Sequence, residues 1–174
     1  MIDSNQAKIK YKVNKNQRYL LDSIALNIQS KDIDSLNKAN EDLSFLKKDE
    51  FFSINKLLLE RDRLISLFKN NGIHNFQQRS IKYNVLIDST GQQKKIPIII
   101  NISNPSSDYE YQIKKINQID IYVETLDELS SINSYTDSLS YNGINIFSKG
   151  KLNYSPKSLT EPIFFNIDEI YSEK

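Results

Sequence analysis

The chain has 174 residues, 39% hydrophobic and 26% charged, with a formal net charge of +1. That composition belongs to a folded globular chain long enough for one ordinary domain, and its near-neutrality excludes a global electrostatic partner, leaving only local patches to attract nucleic acid or an acidic surface. The absence of cysteine removes disulfides, thiolate chemistry, iron–sulfur clusters and the usual structural zinc sites, and a single histidine, His74, removes a histidine-rich metal centre within one chain.

The start, Met1-Ile2-Asp3-Ser4-Asn5-Gln6, has no apolar run behind a basic cap, so no secretory signal is expected. Apolar runs such as Ile98-Ile99-Ile100 are far too short to span a bilayer. A virion or cytoplasmic location without membrane contact is the expectation.

In chain order, Lys8-Ile9-Lys10-Tyr11-Lys12-Val13 alternates lysines with apolar residues, the pattern of a short amphipathic strand or of an arm that becomes one at a sheet edge. With Lys15 and Arg18 it forms a local basic cluster. Lys8, Lys10, Tyr11, Lys12, Lys15 and Arg18 are the candidate interaction residues, the cations for phosphates and Tyr11 for stacking. The competing reading is that the lysines guard an edge strand against pairing with strangers.

From about Gln17 the period lengthens. Leu20, Leu21, Ile24, Ala25 and Ile28 recur at three and four, predicting a helix with one buried face. Ile33, Leu36, Leu43 and Leu46 continue that spacing after a break near Ser30-Lys31-Asp32, with polar Asn40 in the seam. Ile54, Leu57, Leu58, Leu64, Ile65 and Phe68 mark a third helix beginning at Ser53 and stopped by Lys69-Asn70-Asn71-Gly72. Arg61 and Arg63, interleaved with Glu60 and Asp62, read as a solvated face of mixed charge, the alternative being a grip on phosphate or a partner's carboxylates. His74 reads as a loop or packing residue.

Ile81, Tyr83, Val85 and Ile87 alternate, as do Ile96, Ile98, Ile100 and Ile102 after the turn-rich Asp88-Ser89-Thr90-Gly91-Gln92, which predicts a β-hairpin. Tyr109, Tyr111 and Ile113 suggest a strand, although a helical spacing also fits there, and Ile119, Ile121 and Val123 a further strand. Thr125-Leu126-Asp127-Glu128 fits a capping box opening a short helix to about Ile132. Asn142-Gly143 predicts a tight hairpin, Lys149-Gly150-Lys151 another reversal, and Ile163-Phe164-Phe165-Asn166-Ile167 a buried strand after Pro162.

The expected fold is α+β, with about three N-terminal helices packed on a mostly antiparallel β-sheet or small β-sandwich. Residues 1–79 form the arm and helical part and 80–174 the β-rich part of one compact unit.

Chemistry-bearing motifs are sparse. Gly72, Gly91, Gly143 and Gly150 stand alone, so neither a P-loop nor a dinucleotide fingerprint is present, and no serine sits in a nucleophile elbow. Asp88, Glu110, Asp120 and Glu124 flank strands, but the carboxylate-x-lysine pattern of a metal nuclease is missing after Asp88. No catalytic residue, metal or cofactor is expected. Tyrosine is abundant, ten copies with no tryptophan, and Tyr109, Tyr111, Tyr122, Tyr135, Tyr141, Tyr154 and Tyr171 sit in polar β context, which suits contact surfaces as well as ordinary half-buried strands. Edge-capable segments at Lys8–Val13 and Ile163–Ile167 can add strands to a neighbouring subunit. The leading expectation is therefore a non-catalytic structural or assembly protein acting through protein–protein contacts with identical copies and other structural proteins. The alternative is a nucleic-acid-binding protein using its basic N-terminal arm.

The Asn/Ile/Lys/Ser-rich wording, as in Ser131-Ile132-Asn133-Ser134-Tyr135 and Asn142-Gly143-Ile144-Asn145-Ile146, together with the lack of cysteine and a helical front on a β back, resembles small virion proteins of AT-rich tailed bacteriophages. Head-to-tail connector and ring proteins of crAss-like phages are the family meant. The likeness is one of style and size across the whole chain and carries no residue role with it. It implies a ring of many copies between portal and tail, with helices and basic arms packing against neighbours.

Overall fold

In the computed structural model, residues 9–12, 18–87, 94–124 and 135–173 are described. The fold is α+β: helices α1 (Lys31–Lys38), α2 (Ile54–Lys69) and α3 (Pro156–Thr160) accompany two separate three-stranded sheets. In the first sheet β3 (Lys95–Ile102) is central, parallel to β1 (Leu20–Ile28) and antiparallel to β2 (Ile81–Val85). The second repeats that arrangement, with β6 (Ile144–Ser148) parallel to β4 (Asp120–Val123) and antiparallel to β5 (Asp137–Tyr141). Each sheet is thus mixed, not mostly antiparallel, because a parallel neighbour joins each predicted hairpin at the central strand.

The first hairpin forms as its alternation requires. Ile96, Ile98, Ile100 and Ile102 are buried on one face of β3, opposite Val85, Tyr83 and Ile81 of β2 and Ile24, Leu26 and Ile28 of β1. Helices α1 and α2 cover that face through Ile33, Leu64 and Phe68. The second hairpin turns at Asn142 and Gly143, with φ of 52° and 80°, the positive pair that a type I′ turn demands.

Several elements differ from their sequence patterns for identifiable reasons. The predicted first helix is strand β1. Leu21 pairs with Ile96 and Ile24 with Ile98, so three steps on β1 match two on β3. That bulge puts residues three apart on one strand face and imitates a helical period. Helix α1 stops at Lys38, a 3₁₀ turn at Glu41–Leu43 follows, and Leu46 reaches the core while Leu43 stays exposed.

Tyr109 to Ile113 is irregular because its backbone is claimed elsewhere. Ser30 Oγ donates to the Tyr111 carbonyl at 2.7 Å, the Ile113 amide donates to Asp32 at 2.8 Å, and the Lys114 amide donates to the Gly72 carbonyl at 2.9 Å. Ile163 to Ile167 forms no strand and is largely exposed, Phe164 at 91%. The bonds a strand would need lie just beyond it, where the Asp168 and Tyr171 amides donate to the carbonyls of Ile116 and Lys114. Pro156 at the start of α3 supplies a preset helical φ without a missing bond. The Asp88–Gln92 turn and the Thr125–Ile132 capping box lie outside the described residues.

Candidate interaction surfaces

A cavity of about 660 Å³ lies between the exposed border of β1 and the segment linking α1 to α2. Its floor is apolar, from Ile24, Leu26, Ile100 and Leu46, and its walls are charged. Glu60 and Arg63, one helical turn apart on α2, meet there: Arg63 Nη2 donates to Glu60 Oε1 at 2.6 Å and Nε to Oε2 at 3.1 Å. Their side chains are only 12% (Arg63) and 3% (Glu60) exposed. The Phe45 amide adds a third donor to Glu60 at 2.8 Å, and Arg63 Nη1 makes a long bond of 3.4 Å to the Asn40 carbonyl. Three donors therefore converge on the Glu60 carboxylate, and with the Arg63 bond to Asn40 they fix the chain after α1 against α2.

Arg61 is half-buried beside it, its guanidinium carbon 5.3 Å from the centre of the Tyr83 ring. Arg61 Nε and Tyr83 Oη are buried without a protein partner. Burial first, then the Glu60 charge, push the Tyr83 hydroxyl up to about 12. The mixed-charge stretch 60–63 is thus internal structure, with only Asp62 fully on the solvated side. Three- and four-residue spacing from Leu57 to Phe68 already included Glu60, Arg61, Leu64 and Phe68; charge alone hid the first two.

The opposite face of α2 carries apolar side chains into solvent. Ile54 is 67% exposed, Leu58 and Leu59 about half, and Phe51 just ahead of the helix is similar. Ile54 and Leu58, predicted for the buried stripe, are on this outer face because the stripe runs through Leu57, Glu60, Leu64 and Phe68. Phe164 and Phe165 add a second exposed apolar pair after α3.

Of the basic cluster, Lys10, Tyr11 and Lys12 are exposed and outside any strand, Tyr11 at 84%. Arg18 is set apart over the Phe51 ring at 5.3 Å. Lys8 and Lys15 lie outside the described residues.

The strand-flanking carboxylates do not come together. Glu110 accepts from the Lys31 amide at the start of α1, Asp120 accepts from Gln118 and Asn145, and Glu124 bonds Tyr135 and Lys149. Asp88 lies outside the described residues. The Tyr135 hydroxyl and then Lys149 hold Glu124 below the usual carboxylate range, while the same carboxylate pushes Tyr135 up to about 12. Tyr122 stacks on Phe147 at 5.2 Å and contacts Tyr135 at 4.9 Å, so these tyrosines brace the second sheet. His74 meets Tyr171 edge-on at 5.6 Å, a packing contact. Among the described residues no group of three or more His, Asp and Glu is arranged to hold a metal, and no helix is long and apolar enough to cross a membrane. No protein-family model matches the chain, and no curated protein matches it.

Proposed function

We propose that this protein is a non-catalytic assembly component that works by presenting surfaces to identical copies and to neighbouring structural proteins; a ring-forming head-to-tail connector subunit of a phage virion is its specific form. One observation carries the reading: Phe51, Ile54, Leu58 and Leu59 stand exposed at and just ahead of the start of a helix whose other face buries Glu60, Leu64 and Phe68. Full burial of such a side chain stabilises by roughly 1.5–3 kcal/mol, and at about half exposure each of the four keeps about half of that for association. Both border strands of the first sheet also retain outward backbone groups that a neighbour can pair.

A nucleic-acid-binding arm is the second reading, favoured by Tyr11 standing free between Lys10 and Lys12. Particle mass of the purified chain over a concentration series, with and without DNA, separates the two. Multimers without DNA support assembly, and a mass increase confined to the DNA samples and lost at raised salt supports the second reading. A monomer under every condition contradicts both.

A further inference from the structure

We propose that the N-terminal arm, Ile9 to Lys12, of a second copy of this chain adds as a fourth strand to the outer border of β1 between Asp22 and Ile28. This deepens the assembly reading and rests on it.

The acceptor is an incomplete sheet border. At its start β1 is already paired outward: the Leu21 amide donates to the Glu50 carbonyl and the Asp49 amide to the Leu21 carbonyl, both at 2.8 Å, and Leu20 bridges Phe51. From Asp22 onward, among the described residues, β1 makes backbone bonds only toward β3. Its outward amides and carbonyls form the template that an extended peptide fills in strand addition.

The donor is a segment with a strand's alternation that forms no strand within the subunit. Ile9-Lys10-Tyr11-Lys12 alternates apolar and cationic residues, all four are exposed, and none is in a strand. An arm's own β1 border is obstructed at the nearest point, because Glu50 and Phe51 occupy the outward positions beside Leu20 and Leu21. A neighbouring copy approaches the open part directly.

Charge decides which border accepts it. The Asp22, Glu41 and Asp42 carboxylates line the cavity beside β1, and among the described residues none is in an ion pair, although Lys95 at the start of β3 is within electrostatic reach of Asp22. Lys47 and Lys48 also line the cavity, but they sit close enough to Glu50 and Asp49 to lower those carboxyl pKa values, and Glu60 and Arg63 cancel each other. Glu41 and Asp42, which among the described residues are in no ion pair, together with Asp22, partly offset by Lys95, thus face an arm whose cations fall on one side when it is extended. Lys10 and Lys12 turn toward the cavity, their stems across the exposed Leu26 and their ammonium groups at the carboxylates. Ile9 and Tyr11 then lie on the open face beside Ala25 and Ile99. The other border of this sheet, on β2, carries exposed Lys82 and repels the same arm.

The chain has no cysteine, so single substitutions report the contact cleanly. A Tyr11→Cys chain mixed with an Ala25→Cys chain under mild oxidation is expected to give a disulfide-linked heterodimer, with little product when Asn84→Cys on β2 replaces Ala25→Cys. Lys10→Glu/Lys12→Glu is expected to weaken self-association on the order of tenfold, and mixing it with an Asp22→Lys/Glu41→Lys/Asp42→Lys chain to restore it. Equal cross-linking to β2, or closure within a doubly substituted Tyr11→Cys/Ala25→Cys chain in place of linkage between chains, overturns the proposal. Self-association untouched by Lys10→Glu/Lys12→Glu also overturns it while leaving the assembly reading standing; a wild-type chain that stays monomeric removes both.

Discussion

Replacing Arg63 by methionine tests whether the buried ion pair on α2 governs the packing of the helical layer. In the wild type the Glu60 carboxylate receives two donors from Arg63 and one from the Phe45 amide while almost fully withdrawn from water. Arg63→Met keeps the side-chain length but leaves a negative charge with one amide. Breaking a buried pair by removing one partner costs about 3–5 kcal/mol, a large part of the roughly 5–15 kcal/mol that holds a domain folded. Glu60→Gln leaves Arg63 able to swing toward the cavity and still accepts from Phe45, so about 1–3 kcal/mol is expected. Glu60→Met/Arg63→Met removes both charges and costs less than Arg63→Met alone, the residue being the stranded Phe45 amide. Urea unfolding read as a midpoint shift at constant slope measures all three. A loss under about 1 kcal/mol for Arg63→Met, or a double variant worse than the single, refutes the reasoning.

Gly72→Ala places a Cβ 2.7 Å from Ile113 Cγ2 at a φ of +94°, so left-handed strain and overpacking combine to about 2–4 kcal/mol, readable as a fall in melting temperature. Tyr111→Phe deletes the hydroxyl that meets Ser80 Oγ at 2.8 Å and accepts from the Gln77 amide at 3.3 Å; stranding buried Ser80 costs about 1–3 kcal/mol in the same urea assay. Lys95 beside Asp49 and Lys56 beside Glu50 hold both carboxyls below their usual values, so the folded state binds these protons less readily than the unfolded chain. Their contribution is present above the unfolded pKa and fades as pH falls through the folded one, so stability drops from about pH 4 downward. Asp49→Asn/Glu50→Gln flattens that part of the acid-unfolding curve; an unchanged curve counts against these pairs.

Much of the fold was legible where one rule acted alone. The strict alternation of β3 needed only a half-buried sheet, and Asn142-Gly143 needed only its two positive φ values. β1 was misread because a bulge between Leu21 and Ile24 brought residues three apart onto one face, and that irregularity is set by pairing with a strand some seventy positions later. Tyr111 showed strand alternation but sits in the core in irregular backbone, since Ser30 donates to its carbonyl and Asp32 takes the Ile113 amide. Exposed Phe164 resisted reading for the opposite reason: hydrophobicity predicts burial, and only coordinates show which apolar residues the subunit leaves uncovered. Asp22 and the Glu41-Asp42 pair, some twenty positions apart, line one cavity only in three dimensions, so no sequence spacing marks them.

The most direct measurement is sedimentation equilibrium of the wild-type chain beside Ile54→Asp/Leu58→Asp, two substitutions on the solvent side of α2 that leave its packed stripe intact. The account predicts a wild-type multimer shifted to smaller folded species by the paired aspartates, with an unchanged circular-dichroism spectrum. A wild type that remains a single subunit, or a multimer indifferent to both aspartates, would contradict it.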